Sequence, residues 1–357
     1  MNILTSPVFS VIIPAYNAET TIRQSVESLL AQTWSDFEAI IIEDGSSDHT
    51  RQILQTLEAS DSRIRVIYKN KNEGLSAGRN SGIQTARGSY IGFLDSDDWI
   101  EPDLLETIYH RGRLNEDCPD LIAFGYFHDT MDKNRTRTLV SREVRMPEQT
   151  CTRHPDIIKA AVQCDTNKLF AYTCTKFYRR NVILEHQLSF PMQTLIEDFI
   201  FNCRYWDYIE KLVILDYAGY HYIKASSEAL TQKFLPGYFQ IIELRYRTIR
   251  DLTIQNRISD PDIQAQLANT HIKHLIAGMV RDCSPRSGYT GKKRLSRIRE
   301  ILNTPFSAEA RSHARGRTRQ ERLCNLVFKS RSPILNYIFA SLLHQMQKHA
   351  NAFDRFK

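Results

Sequence analysis

The chain has 357 residues, of which 42% are hydrophobic and 25% are charged, and its formal net charge is +6. These values are ordinary for a folded globular protein and exclude a weakly hydrophobic, disordered chain. The length allows one large domain, or a catalytic domain with a smaller appendage.

Targeting and redox signals point to a reduced compartment. Residues Met1–Phe9 lack the features of a signal peptide, and no apolar run reaches the ~20 residues that a transmembrane helix needs. The seven cysteines are scattered without a C-x-x-C pair, which argues against a disulfide framework and a structural zinc site. We therefore expect a cytoplasmic protein.

Strands and helices alternate in the first hundred residues. Short apolar runs predict strands at 9–15, 37–42, 64–68 and 90–94. A first helix is predicted after Asn17, its expected cap, from the helical spacing of Ile22, Val26, Leu29 and Leu30. Further helices are predicted at about 50–59 and from the glycine-rich segment 70–82. Alternation with short connections predicts a doubly wound, mostly parallel α/β sheet flanked by helices.

The remainder is mixed and then helical. Between 100 and 235 we predict helices at 103–113, 155–163 and 197–206, strands at 120–127 and 211–217, and a loop or irregular hairpin at 129–149. Beyond about residue 236 the prediction is nearly all helix, at 241–252, 260–280, 292–302, 317–328 and 333–348. The predicted domains are therefore 1–235 and 236–357.

Polar clusters follow strands one, two and four, and in doubly wound sheets ligands collect at the carboxyl ends of strands. The cluster Asp95-Ser96-Asp97-Asp98 offers carboxylates that a hard divalent cation prefers, or it caps a helix. In the cluster Glu43–Asp48, an aspartate can accept a hydrogen bond from a nucleobase. The alternative is a turn with Asp48 as a helix cap.

Three further features carry chemistry. Arg79, in the glycine-rich segment, can reach a phosphate, but the segment is neither a G-x-G-x-x-G fingerprint nor a P-loop. Dinucleotide-dependent dehydrogenases and P-loop ATPases are thus disfavoured. Glu197-Asp198 begins a predicted helix, where a carboxylate stays ionised and suits general-base catalysis. His221 follows a predicted strand and is a metal ligand, a diphosphate contact or an ordinary core or surface histidine.

In this order and spacing the motifs resemble those of the family-two inverting glycosyltransferases with the GT-A fold. The matching segments are Ser10–Asn17, Asp44–Asp48, Asn72–Gly82, Phe93–Asp98, Glu197-Asp198 and Tyr220–Tyr222. The resemblance covers residues 8 to about 232.

The resemblance implies a role for each matching residue. The nucleotide, usually UDP, would be bound by Pro14, Ala15, Tyr16, Glu19, Asp44, Asn72, Arg79, Asp95 and Ser96. Mn²⁺ or Mg²⁺ would be held by Asp97 and His221, and Asp198 would be the base with Glu197 beside it. The implied activity is metal-dependent, inverting hexosyl or N-acetylhexosaminyl transfer from a UDP-sugar. The acceptor would be a glycan or lipid-linked glycan in capsule or other surface-polysaccharide synthesis.

The predicted C-terminal helices are basic, and the last has an apolar face formed by Ile334, Leu335, Ile338, Phe339, Leu342 and Leu343. This pattern predicts either contact with an anionic membrane at the inner face of the cell membrane or packing on the catalytic domain or another subunit. Nucleic acid is disfavoured because few aromatics lie among the arginines. A different class of function, a non-catalytic nucleotide-sugar or glycan-binding assembly partner, would be expected to have lost at least one of Asp44, Asp97 and Asp198.

Overall fold

The computed structural model describes residues 6–131, 138–192, 195–224 and 237–348. The described residues form two compact units, one ending at Lys224 and one beginning at Gly237. The predicted domain boundary near residue 235 lies outside the described residues. No helix among those ranges is both long and apolar enough to cross a bilayer.

The first unit is built on a ten-stranded sheet whose main path runs β3-β2-β1-β4-β9-β6-β10-β5. Its strands are β1 (Phe9–Ala15), β2 (Phe37–Glu43), β3 (Ile64–Tyr68), β4 (Tyr90–Phe93), β5 (Trp99–Ile100), β6 (Leu121–Met131), β7 (Thr138–Val144), β8 (Gln149–Cys151), β9 (Lys176–Arg179) and β10 (Leu212–Lys224). Strands β1 to β4 pair in parallel, as do β6 and β10, while β9 runs antiparallel between β4 and β6. The predicted mostly parallel α/β sheet is confirmed.

Helices connect these strands. They are α1 (Ile22–Leu30), α2 (Thr50–Ser60), α3 (Leu75–Thr85), α4 (Leu104–Arg111), α5 (His154–Thr166), α6 (Arg180–Glu185) and α7 (Glu197–Trp206). Helix α3 packs closely on β1, because a Cβ at Gly82 would lie 2.4 Å from a methyl carbon of Ile12. Gly82 therefore lets the helix approach the sheet closely.

Two sequence predictions differ from the structure in this unit, and a third, which left a loop or a hairpin open, is decided by it. Asn17 does not cap α1, which begins at Ile22 after Thr21; it adopts a positive φ of 49° and binds the loop after β2. Strand β10 continues past Tyr217 to Lys224, so the Tyr220–Tyr222 motif lies in a strand. The polar stretch 129–149 does contain a hairpin, since β7 pairs antiparallel with β6.

The second unit is helical. Its helices are α8 (Tyr238–Gln255), α9 (Pro261–Asp282), α10 (Gly291–Leu302), α11 (Pro305–His313), α12 (Arg319–Lys329) and α13 (Pro333–Lys348). The other five helices contact α9, whose Ile272 and Met279 are buried together with Phe328 and Ala340. Helix α11 was not predicted, because Glu309, Arg311 and His313 interrupt its apolar pattern.

Candidate active site

The loop after β4 carries the acidic cluster and is attached to β10. Asp98 is buried, and its carboxylate accepts hydrogen bonds from the Tyr220 hydroxyl at 2.6 Å and the Ile223 N–H at 2.7 Å. Burial raises the pKa of Asp98 well above its usual range. The Tyr220 hydroxyl also accepts the Asp95 N–H at 3.2 Å. These bonds hold the loop in place, while the Asp97 side chain is exposed.

Arg79 contacts carboxylates from two distant parts of the sequence, Asp95 on one side and the Glu197-Asp198 pair on the other. Its Nη2 lies 3.1 Å from Asp95 Oδ1, and its Nη1 contacts Asp198 Oδ1 directly and Glu197 Oε1 at 3.8 Å. Although burial opposes its charge, these carboxylates raise the pKa of Arg79. The guanidinium is only 2% exposed and is already paired with carboxylates. Its geometry therefore suits a residue that positions these acids better than one that binds a phosphate.

Aromatic rings complete the surroundings of Arg79. The guanidinium carbon lies 5.9 Å from the centre of the Phe93 ring and 5.3 Å from that of Phe190. Phe190 is held there by Asn80, whose side-chain amide bonds the Phe190 carbonyl at 2.9 Å and N–H at 2.8 Å. The adjacent motif residues Arg79 and Asn80 thus attach α3 to the segment that precedes α7.

Asp198 lies in the first turn of α7, and its side chain is 24% exposed. Burial raises its pKa to about 6, and Glu197 and Asp95 add to the rise while Arg79 opposes it. The Thr173 hydroxyl also donates to Asp198 Oδ2 at 3.2 Å. A carboxylate of this basicity is still mostly ionised at neutral pH and can accept a proton.

The sequence did not indicate Thr173 or Lys176, the residue that holds its segment in place. The Thr173 segment is fixed by Lys176, whose buried ammonium donates to the Leu169 and Tyr172 carbonyls at 2.6 Å each. Burial lowers the pKa of Lys176 to about 8. No local motif marks a threonine that contacts a carboxylate 25 residues later, so only the fold reveals this contact.

The loops after β1 and β2 are linked by hydrogen bonds. Asn17 Oδ1 accepts the Ser47 N–H at 2.9 Å, and the Glu19 N–H donates to Asp48 at 3.1 Å. The Glu19 carboxylate accepts the His49 N–H at 3.0 Å, which lowers the pKa of Glu19. Tyr16 is 47% exposed beside these loops. The predicted nucleotide contacts of Pro14, Ala15, Tyr16 and Glu19 thus fall at one edge of the sheet, where they stay predictions.

Asp44 connects the ends of β2 and α3. Its carboxylate accepts the N–H groups of Glu73, at 3.1 Å, and Gly74, at 2.9 Å, and lies 3.6 Å from Lys69 Nζ. The neighbouring Gly45 has a φ of +71°, and a Cβ there would lie 2.6 Å from the Lys71 backbone. Asp44 therefore shapes the loop that carries the exposed Asn72. Base recognition by Asp44 and nucleotide contacts of Asn72 and Ser96 remain predictions.

His221 contacts carboxylates other than those that Arg79 brings together. Its Nδ1 is 2.7 Å from Asp129 and its Nε2 is 2.8 Å from Glu101. Its ring is also stacked between Trp99 and Phe127, with centroid distances of 3.4 and 4.6 Å. Both ring nitrogens therefore have carboxylate partners, which fits a core residue with satisfied hydrogen bonds, and metal binding by His221 stays a prediction.

Comparison with known proteins agrees with this architecture. The model of Glycosyl transferase family 2 matches residues 10–186. EpsH of Bacillus subtilis (strain 168) is 33% identical over 240 residues, which cover 66% of this chain and 66% of EpsH. TuaG of the same strain is 46% identical over 100 residues, which cover 28% of this chain and 40% of TuaG.

A solved structure shares the fold. S. aureus TarS 1–349 in complex with UDP-GlcNAc superimposes with a TM-score of 0.66 at 18% identity, covering 95% of this chain and 92% of that chain. The matched residues 10–186 contain β2 to β4, nearly all of β1, Arg79 and the acidic loop that precedes β5, whereas Glu197 and Asp198 on α7 lie beyond them. The chain is a GT-A-fold member of glycosyl transferase family 2.

Proposed function

We propose that this chain transfers a sugar, with inversion, from a UDP-sugar to a hydroxyl of a glycan or lipid-linked glycan during the synthesis of a cell-surface polysaccharide. The observation that carries the proposal is the contact of Asp95 and Asp198 with the single guanidinium of Arg79. This contact places the acidic loop after β4 next to Asp198, a carboxylate that can accept a proton. Two related proteins support the setting, since TuaG is named for teichuronic acid biosynthesis and TarS was solved with UDP-GlcNAc.

Asp198 is the proposed base. It takes the proton of the acceptor hydroxyl as the oxygen forms a bond to the anomeric carbon, while the bond to the diphosphate breaks and UDP leaves with its electron pair. One base and one leaving group give a single displacement, and therefore inversion. Arg79 and Thr173 fix the orientation of Asp198, and Arg79 also keeps its pKa from rising further.

The residues of the acidic loop fit a divalent metal. Asp97 offers exposed carboxylate oxygens, which Mg²⁺ and Mn²⁺ prefer. Among the described residues no group of three His, Cys, Asp or Glu side chains could enclose a metal. This donor set suits an ion that is held by one or two carboxylates and by the substrate's phosphates. We propose that Asp97 holds it and that the ion, when bound, offsets the charge of the leaving diphosphate.

The test is UDP release from a panel of UDP-sugars, with Mn²⁺, with Mg²⁺ and with a chelator, using water or added saccharides as acceptors. We expect turnover of at least one donor with metal and loss of turnover with the chelator. Tight binding of a UDP-sugar without turnover under any condition would contradict the proposal and support a non-catalytic nucleotide-sugar-binding role.

A further inference from the structure

Helices α12 and α13 present an apolar stripe to solvent. On α13, Ile334, Ile338 and Leu342 recur every four residues and are 62%, 50% and 54% exposed. On α12, Leu326 is 70% exposed. The stripe consists of these side chains together with Leu323 and Leu335, which are 39% and 43% exposed. A spacing of four residues places the α13 members on one helix face.

The opposite side of α13 is used by the core of the helical unit. Ala340 and Asn336 are buried, and Phe339 and Leu343 pack against the core cluster. The Asn336 side-chain amide donates to the Val327 carbonyl of α12 at 3.0 Å. The predicted apolar face of α13 is therefore divided, since Phe339 and Leu343 face the core whereas Ile334, Leu335, Ile338 and Leu342 do not.

The surroundings of the stripe are strongly basic. Between residues 315 and 346 the acidic side chain is Glu321, and its carboxylate completes the N-terminal cap of α12. The basic side chains of the same range are all exposed; they are Arg315, Arg319, Arg322, Lys329 and Arg331, together with Arg317, which is paired with Asp262 of α9 at 3.0 Å. An exposed apolar stripe edged by cations has the chemistry of a surface that lies on anionic lipid.

We propose that the stripe on α12 and α13 binds the surface of an anionic bilayer. Isoleucine and leucine side chains would enter the boundary between headgroups and acyl chains, and the flanking arginines would contact the headgroup phosphates. A second copy of the chain is a poorer occupant, because a symmetric contact would bring two clusters of cations together. No described helix can span the membrane, so the contact is interfacial.

The test is flotation of the full chain with vesicles of half phosphatidylglycerol and half phosphatidylcholine, beside vesicles of phosphatidylcholine alone. We expect binding to the anionic vesicles that weakens as salt is raised. Ile338→Ser should weaken it about tenfold, because a half-exposed isoleucine no longer enters the lipid. The double variant Arg319→Gln, Arg322→Gln should weaken it about 30-fold.

Matched controls come from α8 in the same unit. Ile254 is 61% exposed and Arg247 is also exposed, so Ile254→Ser and Arg247→Gln remove similar groups outside the stripe and should leave binding unchanged. Equal losses in the α8 variants, or no flotation of the unaltered chain, would overturn the proposal. So would sedimentation showing self-association that Ile338→Ser abolishes without any vesicle binding, which would assign the stripe to a second copy.

Discussion

The contact between Arg79 and Asp198 leads to a prediction about the pH dependence of catalysis. An opposite charge at this range lowers the pKa of a carboxyl group by about 1–3 units. Without it, the Asp198 pKa should rise from about 6 by a comparable amount. Arg79→Gln removes the guanidinium charge that opposes the effects of burial, Glu197 and Asp95.

The expected effect on rate follows from the fraction of ionised base. At pH 7 a group with a pKa of about 6 is mostly ionised, whereas a rise of two units leaves roughly a tenth of it ionised. Turnover at pH 7 should therefore fall about tenfold from protonation alone, and raising the pH should restore it. The sign is fixed because a base acts only when deprotonated, so activity is lost as the pH falls through its pKa.

The assay is the pH profile of kcat/KM for UDP release from the best donor. Arg79→Lys is the matched control, since lysine keeps the positive charge but cannot span Asp95 and Asp198 as the planar guanidinium does. Its acid limb should lie nearer to that of the unaltered enzyme. An acid limb that stays at about pH 6 in a folded Arg79→Gln variant, as judged by circular dichroism, would refute the reasoning.

Two further predictions concern the metal and the support of the base. Asp97→Ala should abolish the Mn²⁺ dependence of UDP affinity in titration calorimetry, whereas His221→Gln should preserve it; the reverse pattern would make His221 the ligand. Thr173→Val removes one hydrogen bond to Asp198, and bonds to charged groups contribute about 1.5–3 kcal/mol. The acid limb of the kcat/KM profile of this variant should move up by about one pH unit. An acid limb that does not move would show that the Thr173 contact does not support the base.

The parallel half of the sheet could be predicted from the sequence because its strands are continuous apolar runs between turns. Strand β1 was predicted with its observed bounds, and β2 to within one residue. Strand β9 was missed because it has only four residues, of which the first and the last, Lys176 and Arg179, are charged. Lys176 is nevertheless buried, since it donates hydrogen bonds to carbonyl oxygens. The sequence does not show that such a lysine is buried, because the carbonyls that accept its hydrogen bonds surround it only once the chain has folded.

The site residues were indicated by their motifs, but their contacts were not. Arg79 was expected to approach a phosphate, whereas the fold encloses it between Phe93 and Phe190 and pairs it with Asp198, 119 positions later. Similarly, the Tyr220–Tyr222 motif indicated His221 as a site residue, but not that its two ring nitrogens contact Asp129 and Glu101. Such pairings depend on which strands become neighbours in the sheet, and one chain's residue spacing does not contain that information.

The most direct measurement of the central claim is the turnover of Asp198→Asn at saturating donor, with donor affinity measured on the same sample. Asparagine keeps the size of the side chain but cannot take the proton of an acceptor hydroxyl. We expect donor affinity close to that of the unaltered enzyme and turnover reduced by at least ~10²-fold. Turnover that remains near the unaltered value would show that another group removes the proton and would contradict the account.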